Sequence, residues 1–539
     1  MAKKSKTKTV FKGNTFHRFD IDTYIDKYIW AIIPVLAIIY FVFSKYSTGF
    51  YSDDELGHFV NMNDFWRDPG LIIGNWSKPG WKIFMVVPSL LGYDAVIFFN
   101  ALISSTTVYV SILFAKKLNL KNTSLLIFLL GFQPIFFQLS FRSYAEIFTG
   151  LILILTCYLY LIEKYNFSML LLGYLFLLRQ ETAVIIILVV AYLVISKKKY
   201  FPILFVAVFP LILQIFGMIK YNGDFMWMIK DLTSLGKMDF NKETDRGFFF
   251  YWANYIFIIG PVTLAFFLIG YFSFWEKNVN KKEFFKKYDI LYLVFTTFFL
   301  IQCALVLHGT NAGLLRYMLP ASPLAAVFAC IGFNNLFKTE AKNIHLIILV
   351  GISVLSLAFM SRESNNWVMT DQTEYLKFLI LSVITIIFVF GVYMGSMKSN
   401  KIFIYSIIIL SIVYVYQKVE PLKPSSENQT VDAISDWLSK SEYKDKDVYF
   451  SNNNITFFNY IKGFYKTNKN DMNMQSIKDS PVGSIAIWDS HYSYNPRYEN
   501  RNTKLEFIKN NTDFKIIKEF NSPDQKFYAA VFERIAKNN

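Results

Sequence analysis

Residues 168–196 constrain the fold more than any other stretch. They are apolar except for Arg179-Gln180-Glu181 near the middle. As a single helix the stretch would be roughly 43 Å long, too long for a hydrocarbon core of about 30 Å without strong tilt. Both flanks are basic, with Lys164 before it and Lys197-Lys198-Lys199 after it. Short basic loops stay on the cytoplasmic side, so both flanks lie on one side and the stretch crosses the bilayer twice. The two crossings are short, which is tolerable among other helices, and they turn at Arg179–Glu181 on the outer face.

The same parity orders the rest of the chain. The basic start (Lys3, Lys4, Lys6, Lys8, Lys12 and Arg18) precedes a first span over 28–45 and carries no small-residue cleavage site after it, so that span is expected to remain as an anchor. Further apolar runs at 94–115, 124–139, 147–162, 201–220, 250–274, 289–307, 318–336, 344–360, 375–396 and 402–416 alternate with lysine-bearing and mixed loops. With the split run they make about thirteen transmembrane helices. The fold class expected is an α-helical polytopic membrane protein, with the N-terminus cytoplasmic, in the plasma (inner) membrane. Its transmembrane domain covers 1–417, and 46–93 form the first extracytoplasmic loop. Residues 418–539 open with Pro421 and Pro424 and turn polar. Short β-like runs at Val448–Ser451, Ser484–Trp488, Phe514–Ile517 and Phe527–Phe532 alternate there with helical stretches such as Val431–Leu438. They read as a small extracytoplasmic α/β domain.

The net charge of +15 is not a nucleic-acid signal, because the lysines sit in short loops between apolar runs. Cys157, Cys303 and Cys330 all lie inside apolar runs, where they pack and imply no disulfide framework.

The polar residues that stand out fall on the outer face. Asp53-Asp54-Glu55 follow the first span, with His58 close behind. Three adjacent carboxylates repel one another, which suits one of them to general-base work; they also suit the start of a solvated helix. Asn75-Trp76-Ser77-Lys78-Pro79-Gly80-Trp81 fits an interfacial element or an aromatic anchor. Arg142 and Glu146 share a tight outer turn, Arg179 and Glu181 share the split, and Arg316-Tyr317 close a stretch that begins at His308. Ionisable groups at membrane depth are expensive, so they pair with one another or have work to do. Arginine forks match phosphate oxygens. The metal ligands on offer are Asp53, Asp54, His58 and His308, a set for a divalent cation.

The order of these features resembles the GT-C superfamily of polytopic glycosyltransferases, of the protein O-mannosyltransferase and lipid A aminoarabinose transferase type. One span, an acidic loop ending in His58-Phe59, Asn75-Trp76-x-Lys78-Pro79, Arg142–Glu146, Leu178-Arg179-Gln180-Glu181 and Gly313-x-x-Arg316-Tyr317-x-x-Pro320 carry the likeness over about 1–340. Lys78-Pro79-Gly80 departs from the usual Lys-Pro-Pro, and Arg179-Gln180-Glu181 from Arg-Pro-x. The resemblance implies a sugar donor on polyprenyl phosphate and an inverting displacement, with no nucleotide and no required cofactor. The acceptor hydroxyl would be on a protein, lipid or glycan. Among Asp53, Asp54 and Glu55 the alignment favours Asp54 as base. Lys78, Arg142, Arg179 and Arg316 are implied as phosphate-facing cations, with His58, Glu146, Glu181 and Tyr317 completing the substrate site. A transporter or flippase of lipid-linked saccharides is the alternative; its expected sign is broken, charged helices at the midplane with internal repeats, and no repeat is visible.

Overall fold

The computed structural model describes residues 22, 26–74, 76–235, 246–276, 279–337, 342–360, 362–364, 369–371, 383–384, 386–387, 390, 399–464, 469–494 and 503–536. Among these, eight helices are long and apolar enough to cross a membrane: Asp26–Tyr46, Tyr93–Lys117, Gln180–Lys197, Phe201–Lys220, Lys281–His308, Leu315–Leu336, Asn343–Met360 and Lys401–Lys418. The chain is a multi-pass membrane protein. Two shorter apolar helices, Glu146–Leu161 and Tyr165–Leu178, lie between the second and third of these.

The split expected at Arg179 is present. Helix Tyr165–Leu178 ends there because Arg179 is extended (φ −151°, ψ 113°), and a new helical segment starts at Gln180. Two other runs are less regular than their hydropathy suggests. The run at 124–139 is interrupted, with helices at Leu126–Leu129 and Pro134–Leu139. Pro134 at a helix start explains the second onset, since its ring fixes φ and it lacks an amide proton. The run at 250–274 bends by 119° between Phe250–Ile259 and Pro261–Trp275. Gly260 supplies the turn with φ +79°, and Pro261 restarts the helix. The run expected at 375–396 lies largely outside the described residues, so thirteen crossings remain an expectation.

The central element is Leu315–Leu336, whose most apolar window is 94% buried, against 17% for Phe201–Lys220 at the periphery. It packs on Pro261–Tyr271 at a pair of glycines. A Cβ on Gly270 would meet the Phe328 carbonyl oxygen at 1.9 Å, and one on Gly332 would meet that of Phe266 at 2.0 Å. Lipid offers little hydrophobic drive for helices to associate, so close backbone approach through small residues replaces it.

On one side of the bundle the first loop forms two helices, Asp53–Asn63 and Pro79–Leu90. Helix Pro79–Leu90 buries Trp81, Lys82, Met85 and Val86, while Ile83, Phe84, Val87 and Leu90 are exposed. That two-sidedness suits a helix lying in the membrane interface. A short hairpin of β1 (Arg362–Ser364) and β2 (Met369–Asp371) precedes the last span. The C-terminal segment then builds a sheet from β3 (Val448–Phe450), β4 (Lys469–Asp471), β5 (Ile485–Asp489), β6 (Phe514–Asn521) and β7 (Tyr528–Arg534). Its order is β4-β3-β5-β7-β6, parallel across the first three strands and antiparallel after them. Strand β5 is buried along its whole length, as a central strand covered on both faces should be.

This sheet's helices rest on the first loop. Helix Asn453–Ile461 lays Phe457 edge-on against Phe50 and Phe59, with ring centroids 5.2 and 5.5 Å away. Its Tyr460 hydroxyl donates to Asp64 Oδ1 at 2.5 Å. The two segments leaving the membrane are also joined: Gly49 N donates to the Leu422 carbonyl at 2.7 Å, and Leu422 N to Ser47 Oγ at 2.8 Å.

The glycine contact yields a test of the bundle. Gly332→Val forces a backbone separation and is expected to destabilise the fold by about 1–3 kcal/mol or more. The measurement is the thermal midpoint of the detergent-purified protein; an unchanged midpoint would contradict the packing described.

Candidate active site

Helix Asp53–Asn63 begins after the extended Ser52 (φ −160°, ψ 170°) and carries Asp53, Asp54 and Glu55 in its first turn. Acids there complement the helix dipole. Successive residues are rotated about 100° on a helix, so the three carboxylates face different surroundings.

Asp54 is the one turned toward cations. Its Oδ2 lies 2.8 Å from Arg316 Nη2, and its Oδ1 accepts from Trp76 Nε1 at 3.3 Å. Its side chain keeps 38% of its surface exposed. Asp53 is held by the C-terminal segment: Tyr492 Oη donates to Oδ2 at 2.6 Å and Asn454 Nδ2 to Oδ1 at 3.1 Å. Glu55 is fully enclosed. It accepts from Tyr93 Oη at 2.6 Å, Tyr51 N at 3.0 Å and Ser143 N at 3.2 Å. Of the three acids considered for proton transfer, Glu55 is therefore a buried anchor between the first loop and the Arg142 turn. No substrate can reach it without dismantling these bonds.

Arg316 and Arg179 converge, as the arrangement of motifs predicts. Arg316 Nε is 3.6 Å from Glu146 Oε1, Arg179 Nη1 is 4.0 Å from the same oxygen, and Arg179 Nε is 2.5 Å from Glu181 Oε1. Glu181, Arg179, Glu146, Arg316 and Asp54 thus form a chain of alternating charge. Aromatic faces cover it. The Arg316 guanidinium sits 4.4 Å from the Tyr144 ring centroid, and that of Arg179 4.8 Å from Tyr317. Tyr144 Oη also shares a hydrogen bond of 2.7 Å with Ser52 Oγ. Gln302 Nε2 donates to Glu181 Oε1 at 3.3 Å and is itself held by Asn311 at 2.8 Å. The stretch beginning at His308 therefore serves the site through Asn311 as well as through Arg316-Tyr317.

Arg142 does not join this group. Its guanidinium is buried, with Nη1 donating to the Gly49 carbonyl and Nη2 to Ser47 Oγ, both at 2.5 Å. It satisfies the backbone where the chain leaves the first span. The expectation that Arg142 faces phosphate is corrected accordingly: the loop carbonyls at 47–49 need a donor, and Arg142 supplies it.

Two lysines sit beside the charge chain. Lys78 has a left-handed backbone (φ 53°) at the start of Pro79–Leu90, and its ammonium group makes no hydrogen bond or ion pair among the described residues. Removal from water, followed by repulsion from Arg179, lowers its pKa below the usual lysine value. Lys82, one turn on, was not singled out by the sequence reading. It is completely buried, its Nζ has no hydrogen-bond partner, and it lies 4.7 Å from the Trp76 ring centroid. Burial, then the Lys78 ammonium, holds it well below the usual lysine range. The signal available was the spacing of Lys78 and Lys82, which puts both on one face of the helix that Pro79 starts.

His58 packs its ring 4.7 Å from Trp76 and 5.6 Å from Trp81. Burial, then Lys82, keeps its pKa well below the ordinary histidine value. It is a neutral ring supporting the tryptophans. Asp54, His58 and His308 do not come together as metal ligands: His308 ends the long helix Lys281–His308 and is exposed. Among the described residues, the only His, Cys, Asp and Glu group with metal-ligand spacing is Asp53, Glu427 and His491.

No family model matches this sequence, and no curated protein matches it. Solved structures do match. ArnT from Cupriavidus metallidurans bound to undecaprenyl phosphate superposes with a TM-score of 0.59, over 94% of this chain and 98% of that one, at 8% identity. The same protein in its apo state gives 0.58 at the same coverage and identity. What this chain shares with them is the fold, over nearly its whole length, from the bundle through the C-terminal sheet.

Proposed function

We propose that this chain is an inverting glycosyltransferase that moves a sugar from a polyprenyl-phosphate donor to an acceptor hydroxyl at the outer membrane edge. The observation that carries the reading is the placement of Asp54. Glu55 is enclosed and Asp53 is held by the C-terminal segment, whereas Asp54 is part-exposed and lies against the buried Arg316 guanidinium, which belongs to another segment. The likeness in fold to a protein solved with undecaprenyl phosphate supports the donor class.

In this reaction the acceptor oxygen forms a bond to the anomeric carbon as the bond from that carbon to the phosphate oxygen breaks. Asp54 takes the hydroxyl proton. The donor's phosphate leaves as an anion of low basicity and needs no general acid. Charge develops on its oxygens, and fixed cations in a water-poor site stabilise it. Lys78, Lys82, Arg179 and Arg316 are the groups for that task. Lys78 has no side-chain partner among the described residues, and the Lys82 Nζ has no hydrogen bond, so an arriving phosphate anion would favour the charged form that burial disfavours. Glu146 and Glu181 keep the two arginines in place, and Tyr317 covers Arg179. The apolar outer side of Pro79–Leu90 gives the lipid tail a surface next to the two lysines. The sidedness is the one that the lysine loops predict: N-terminus cytoplasmic, with the site and the C-terminal domain (418–539) extracytoplasmic in the plasma membrane. That domain borders Asp53 and is placed to meet the acceptor, whether protein, lipid or glycan.

Asp54→Asn is expected to lower transfer by about 100-fold or more while leaving insertion and the thermal midpoint near wild type. Mass spectrometry of envelope glycans and glycoproteins, with and without the gene, supplies the product. Full activity in that variant would refute the base assignment, and an unchanged envelope with lipid-linked sugar accumulating on the inner leaflet would point to a flippase.

Lys82→Met separates a ligand role from a structural one. Replacing a buried amine that lacks a hydrogen bond by an apolar side chain of similar length should preserve or raise stability. Donor KM should rise at least tenfold. Loss of stability with unchanged KM would make Lys82 a packing residue.

A further inference from the structure

We propose that Asp53, Glu427 and His491 form a divalent-cation site, suited to Zn2+, that fastens the first outer loop to the C-terminal sheet. One ligand atom from each lies within 4.8 Å of the others. His491 Nδ1 is 3.0 and 3.1 Å from the two Glu427 oxygens. A tetrahedral ion with bonds of about 2.0–2.2 Å holds its donors about 3.3–3.6 Å apart. A small side-chain rotation of Asp53 therefore brings the set to bonding geometry.

The three ligands come from separate segments. Asp53 starts helix Asp53–Asn63, Glu427 sits in the first turn of Ser426–Lys440, and His491 follows β5. Two of the three are oriented by a further group, as ligands of a built metal site are. Asn454 Nδ2 donates to Asp53 Oδ1, leaving Oδ2 for the ion in exchange for the Tyr492 hydroxyl. Asp489 Oδ1 accepts from the backbone amides of His491 at 3.0 Å and Tyr492 at 2.7 Å, which fixes the turn that presents the imidazole. The Tyr492 ring lies 4.2 Å from the imidazole.

The donor set selects the ion. An imidazole nitrogen with two carboxylates favours zinc over calcium or magnesium, which prefer all-oxygen shells. His491 keeps half of its side chain exposed, so water can complete the coordination. A bound dication would also relieve repulsion between the two acids. Its position beside Asp54 is indirect: it fixes the first turn of the helix that carries Asp54. The site stands whether or not the transfer reaction proposed above is correct, because its test reads metal rather than turnover.

The full-length protein in detergent is stripped with a chelator, then titrated with Zn2+ alone by calorimetry, with metal per chain counted by elemental analysis. One zinc per chain is expected. Affinity should fall at least tenfold in His491→Ala and in Glu427→Gln and should be retained in His308→Ala. Zinc should raise the thermal midpoint of the wild type and leave that of His491→Ala unmoved. Glu427→Gln preserves side-chain shape and stands in if His491→Ala fails to elute as a monodisperse peak. Zinc no higher than the detergent blank overturns the site. So does equal affinity in the ligand variants, which would mark adventitious surface binding.

Discussion

Five groups of alternating sign, from Glu181 through Arg179, Glu146 and Arg316 to Asp54, are the interaction on which this side of the bundle depends. All but Asp54 have side chains less than a fifth exposed. Isolated charges there would be costly, and each is tolerable only because its neighbours carry the opposite charge. The members come from the split span, the helix Glu146–Leu161, the start of the central helix and the first loop. The chain of charge therefore fixes four segments relative to one another. Removing one member leaves the next uncompensated, so these residues act as a unit rather than as separable pairs.

Around that unit the residues divide between groups that hold the scaffold and groups left available. Glu55 and Arg142 satisfy backbone where the chain enters and leaves the membrane. Their bonds make the floor under Asp54 rigid. The side chains of Lys78 and Lys82 lack hydrogen bonds among the described residues, and the two amines lie close enough to repel each other. Under the proposed reaction, these anchored surroundings and the two lysine amines would receive the donor's phosphate, and its charge would offset the cost of burying them.

The split at Arg179 was legible in the sequence because it follows from two arithmetical facts: a run too long for the bilayer and basic flanks on both sides. The convergence of Arg179 and Arg316 was legible for a related reason, since parity places both on the same face. What parity cannot report is rotation about a helix axis. Asp53, Asp54 and Glu55 are equivalent in a hydropathy profile, and only the tertiary partners (Tyr492, Arg316 and Tyr93) separate them. Arg142 was read as a ligand because an arginine at an outer turn resembles one; the carbonyls it satisfies belong to a loop far away in sequence. Lys82 is hidden inside an apolar helix, although its spacing from Lys78 marks it. The bend at Gly260-Pro261 was written in the residues but hidden by a window that averages over them.

The helix Tyr165–Leu178 also sets a depth. Its fourteen residues rise only about 21 Å, well short of a hydrocarbon layer of about 30 Å. Either the bilayer thins beside it or Arg179 sits below the surrounding headgroups. In both cases an anionic headgroup that reaches Arg179 must sink rather than rise. This protein should therefore feel bilayer thickness: a thicker membrane lengthens the descent, and a thinner one removes it.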